Sequence, residues 1–78
     1  MIGMKMEKRK IRYGVVNYVL REEYEKEWHL PFGYEYITYN EQDAINYCRE
    51  QRYDTFIVEM IYDTEKGNNF KEEIYRSQ

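Results

Sequence analysis

Hydrophobic positions along the chain fall into four strand-like runs and one helical stripe. The first run, residues 11–20, is apolar on both faces. Ile11, Tyr13, Val15 and Val19 share one side, and Val16, Tyr18 and Leu20 share the other, which predicts a central strand. Tyr34-Glu35-Tyr36-Ile37-Thr38-Tyr39 is aromatic and β-branched and predicts a second strand. Asn40 then caps a helix over 41–52, with Ala44, Ile45 and Cys48 on one stripe. Its acids Glu41 and Asp43 lie in the first turn, and its bases Arg49 and Arg52 in the last, as the helix dipole favours.

Residues 55–62 predict a third strand, with Glu59 an anomaly among Ile57, Val58, Met60 and Ile61. An acid there belongs on the solvent face of the sheet or against an arginine across the interface. Lys66-Gly67-Asn68-Asn69 signals a turn. Residues 70–75 then return as a charged edge strand, although Phe70 and Ile74 are four apart, which also suits a terminal helix.

Between the first two strands, residues 21–32 have helix-forming composition, with Glu22/Lys26 and Tyr24/Trp28 at helical spacing. Pro31 and Gly33 must end any such helix. The segment predicts a long connection with one or two helical turns.

Together these elements predict an α+β domain, ββαββ, with one helix packed on a four-stranded antiparallel or mixed sheet. A right-handed crossover with the first strand inserted gives the spatial order second, first, third, fourth. A single helix covers one sheet face. The other is then expected to be open and to seek a partner, most simply a second copy in a C2 dimer.

Composition sharpens this picture. Ten of the 78 residues are tyrosine, more than so small an interior can bury with every hydroxyl satisfied. Several must be exposed, where tyrosine favours binding surfaces. Residues 1–12 hold five bases against one acid, and the remainder holds seven bases against fourteen acids. A basic arm over 1–10 is therefore expected before an acidic domain over 11–78, a balance suited to a basic protein surface rather than duplex DNA. One cysteine permits no internal disulfide, and no run reaches membrane-spanning length. The expectation is a cytoplasmic protein without a membrane partner.

No catalytic or metal signature emerges. Cys48 lies on an apolar stripe with no nearby histidine to generate thiolate, and His29 is the only histidine. No cofactor is expected and no enzyme is read. The most suggestive segment runs from Tyr24 to Tyr34. There Trp28, Leu30 and Phe32 surround Pro31, with Glu25, Glu27 and His29 at the rim, a pattern of aromatic anchors and polar surround typical of protein interfaces. The competing structural reading makes Trp28 and Phe32 a plug for a small core.

In size, acidity and tyrosine content the chain resembles short open reading frames of phages and mobile elements. That resemblance implies a non-catalytic binder that blocks or modulates a host defence or regulatory enzyme. A second reading is an oligomeric sponge that stacks a nucleotide-like ligand on aromatic rings and holds its phosphate with Arg12, Arg49 or Arg52. A third is a single-stranded nucleic-acid platform of sheet tyrosines, although the basic groove it needs is absent outside residues 5–12.

Overall fold

The computed structural model describes residues 9–64 and 67–77. Its elements are β1 (Arg9–Asn17), α1 (Tyr18–Glu22) continuing into a π-helical turn (Glu23–Glu27), β2 (Tyr36–Thr38), α2 (Glu41–Glu50), β3 (Phe56–Asp63) and β4 (Asn69–Arg76). The sheet order is β2-β1-β3-β4, and every neighbouring pair is antiparallel. This is the expected α+β architecture, with β1 central and β4 returning as a strand rather than a helix.

Boundaries moved where side chains compete with the ladder. The first strand stops at Asn17, three residues before the apolar pattern does. The Asn17 carboxamide oxygen accepts from the Leu20 amide at 2.9 Å, which turns Tyr18, Val19 and Leu20 into the first turn of α1. β1 begins at Arg9, so Arg9 and Lys10, assigned to the basic arm, belong to the sheet. The rest of that arm, residues 1–8, lies outside the described residues. At the other helix, Asn40 accepts from the Asp43 amide at 2.9 Å as predicted, and α2 ends at Glu50, two residues early.

One sheet face packs on α2. Val15, Val58 and Phe56 meet Ala44 and Cys48 in the buried core, with Tyr13, Tyr36, Tyr47 and Tyr75 around it. Tyr36 and Tyr47 stack nearly parallel at 4.6 Å, fastening β2 to the helix. Burial of these aliphatic and aromatic groups is the main source of stability.

The opposite face is not open. Alternation sends Gly14, Val16, Ile57, Glu59 and Ile61 away from α2, yet Val16, Ile57 and Ile61 are buried. Residues 18–34 fold back over them as a strap. The expectation of an uncovered aromatic face is therefore overturned: the long connection, with the helical turns its composition predicts, supplies the missing layer. Closure of this face also removes the ground on which a C2 dimer was expected. Among the described residues, no helix is long and apolar enough to cross a membrane.

Candidate functional site

The strap is anchored on Glu59. The Arg21 guanidinium grips this carboxylate with two parallel hydrogen bonds of 3.0 and 2.9 Å, and the Tyr34 hydroxyl donates to it at 2.6 Å. The Arg21 and Glu59 side chains are only 16% and 11% exposed. Burial alone would raise the Glu59 carboxyl. The hydrogen bonds from Arg21 and Tyr34, with the nearby charges of Arg21 and Lys71, outweigh it and hold the acid below its ordinary range. Tyr34 moves the other way: burial and the Glu59 carboxylate push its phenol well above the usual value.

Gly14 makes this geometry possible. It faces Glu59 across β1 and β3, and a Cβ there would sit 2.6 to 2.8 Å from three atoms of the Tyr34 ring. The ring thus lies directly on β1 backbone. On the β4 side, the Lys71 ammonium lies 5.6 Å from the Tyr34 centroid, and the Arg76 guanidinium 4.6 Å from that of Tyr18.

Outward from these anchors the strap carries an aromatic cluster. Tyr24 touches Trp28 at 5.0 Å and Phe32 at 4.9 Å between centroids, both tilted. The π-helical turn brings the Trp28 amide to the Glu23 carbonyl at 3.3 Å, and the Leu30 amide closes on the Tyr24 carbonyl at 2.8 Å. His29 adopts φ +56, the left-handed conformation that commonly ends helices, and Pro31 follows. Trp28 remains 52% exposed and Leu30 48%, while Phe32 is half-buried.

The predicted binding residues therefore divide. Tyr24, Trp28 and Phe32 form one surface cluster, with Glu25, Glu27, His29 and Leu30 exposed beside it in sequence. Tyr34 belongs to the anchor below. Trp28 lies outside the buried core, so it does not plug it. Sequence reading missed Arg21 and Gly14, although a glycine inside an apolar strand marks a close approach.

No protein-family model, curated protein or solved structure matches the chain.

Other sequence-derived sites are not assembled. Arg12 lies on the strap side of the sheet, whereas Arg49 and Arg52 are exposed at the end of α2 and just beyond it, on the far side. The three do not converge within one chain. Tyr13, Tyr36 and Tyr75 are partly buried against the core, so they offer no open stacking platform. The most exposed tyrosines, Tyr39 and Tyr53, flank opposite ends of α2. Cys48 is buried, and burial raises its thiol. Among the described residues, no group of three or more His, Cys, Asp or Glu is placed to hold a metal ion.

Proposed function

We propose that this domain is a non-catalytic protein-binding module that blocks or modulates a partner by seating the strap cluster on it. The observation that carries this reading is the half-exposed Trp28 held against Tyr24, on a segment anchored at both ends by Glu59. Anchors presented on a fixed backbone lose little entropy on binding, so each contributes more affinity. Tryptophan and tyrosine are the residues in which interfaces concentrate their energy. The π-helical turn beneath Trp28 adds support, because such turns recur at functional sites. A host enzyme of defence or regulation is the kind of partner that the acidic, tyrosine-rich composition fits.

The test is comparative capture. Wild-type protein, Trp28→Ala and Phe32→Ala, each first shown to be folded, are immobilised and exposed to the same cell extract. A protein retained by the wild type is then purified and its affinity measured. Each substitution is expected to weaken binding by roughly 2 kcal/mol or more. Glu25→Lys and Glu27→Lys are expected mainly to slow association and alter its salt dependence. Undiminished binding by a folded Trp28→Ala would show that the strap cluster is not the interface.

A further inference from the structure

β4 forms one edge of the sheet, and the other edge, β2, is only three residues long. Residues 67–73, which lead into β4 and open it, are all exposed, and among the described residues no further strand lies beside them. A long open edge offers backbone N–H and C=O groups to another strand. Phe70 sits on this edge. Its register partner Tyr62 stacks on it at 5.7 Å between centroids, yet Phe70 remains 40% exposed. Alternation from the core residue Val58 places Tyr62 and Phe70 on the α2 side of the sheet, and Lys71, opposite Ile61, on the strap side. Ile74 is the extra residue of a bulge between Glu73 and Tyr75, which ends the regular edge.

We propose that β4 pairs antiparallel with β4 of a second copy about a two-fold axis at Phe70, joining two four-stranded sheets into one. Opposite residues in such a pair share a face, so the axis must pass through a residue, and the regular edge leaves few choices. Centred on Lys71, two ammoniums oppose each other. Centred on Glu72 or Glu73, two carboxylates do. Centred on Asn69, the overlap shrinks and Phe70 meets an asparagine. Centred on Phe70, the two rings meet and extend the stack already begun by Tyr62. Asn69 then faces Lys71 of the second copy, and Asn68 faces its Glu72. A carboxamide answers either charge, since its oxygen accepts from an ammonium and its nitrogen donates to a carboxylate. The charges that guard this edge against unrelated strands therefore leave one self-complementary register, which favours a second copy over any other strand. The axis is normal to the sheet, so both straps lie on the same side of the joined sheet.

Light scattering of the purified chain should show its mass rising toward twice that of one chain as concentration increases. Phe70→Ser, first shown by its melt to be folded, should weaken this association by about tenfold or more. Cross-linking tests the register with Phe70 intact. Asn69→Cys in one copy lies opposite Lys71→Cys in the other, at a separation that a disulfide spans. Mild oxidation of the two variants mixed together should give a cross-linked dimer, and either variant alone should give little. Cys48 is buried and does not compete. Three results would each overturn the proposal: a chain that stays single at high concentration, a folded Phe70→Ser that associates as the wild type does, or Lys71→Cys alone cross-linking as readily as the mixture. If Phe70→Ser does not fold, light scattering of the wild type and the mixed cross-link decide. None of these outcomes depends on the strap cluster, so the protein-binding reading stands or falls separately.

Discussion

The Tyr34 ring lies so close to Gly14 that no side chain fits between them. Gly14→Ala would place a Cβ 2.6 Å from the ring, and a ring edge backed by the Glu59 hydrogen bond cannot swing aside cheaply. We expect Gly14→Ala to destabilise the domain by about 2 kcal/mol in urea unfolding. Introduced into a Tyr34→Ala background, the same change should cost much less, because the obstructing ring is gone. Equal costs in both backgrounds would mean that the ring is not what excludes a side chain at Gly14.

Arg21→Met would leave a buried carboxylate without its cation. The expected loss is about 3 kcal/mol, whereas Arg21→Met/Glu59→Met, which removes both charges, should recover most of it. Chemical denaturation of the three proteins at pH 7 decides the matter.

Acid should loosen this anchor in a defined direction. Glu59 is held below the ordinary glutamate value of 4.5, so its unfolded form takes up a proton first. Its contribution is complete above that value and is lost as pH falls through the lower native pKa. Stability measured from pH 6 down to pH 3 should drop more steeply in the wild type than in Arg21→Met/Glu59→Met. Parallel slopes would show that other carboxylates carry the acid limb.

The two asparagine caps should differ. Asn40→Ala removes one capping bond and should cost about 1 kcal/mol. Asn17 is buried, caps α1 and also donates to Asp54 at 3.0 Å, so Asn17→Ala should cost about twice as much. Thermal melts of the two variants test the ranking.

His29 occupies a left-handed position without being glycine. His29→Gly should therefore stabilise the helix end by up to about 1 kcal/mol, read as a raised melting temperature. A fall in stability would mean that the imidazole makes contacts that outweigh its backbone strain.

The sheet and its order were legible because β1 and β3 carry apolar groups on both faces, and because Asn40 marks a helix start in the middle of the pattern. The strap was not, because its closure depends on polar partners. Arg21 and Glu59 are 38 residues apart, and nothing in local spacing pairs them. Two clues were present: an acid inside an apolar run, and a glycine inside a strand. Each has a meaning only once the other and Tyr34 are brought to the same place. The aromatic segment 24–34 was recognised as a cluster, but alternation could not tell Tyr34, fixed beneath it, from Trp28, left at the surface.

The grip of Arg21 and Tyr34 on Glu59 joins distant parts of the chain as a cross-link would, but without a covalent bond. It places no restriction on the unfolded chain, so its whole effect lies in the native state. A peripheral layer of short helical turns, pinned to the sheet at one carboxylate, opens at a lower free energy than the sheet beneath it. In deuterated solvent, amides of residues 18–30 should exchange before those at the centres of β1 and β3. Breathing of the strap would then expose Val16 and Ile57 while the α2 side stays closed, giving the domain two separate thresholds of opening.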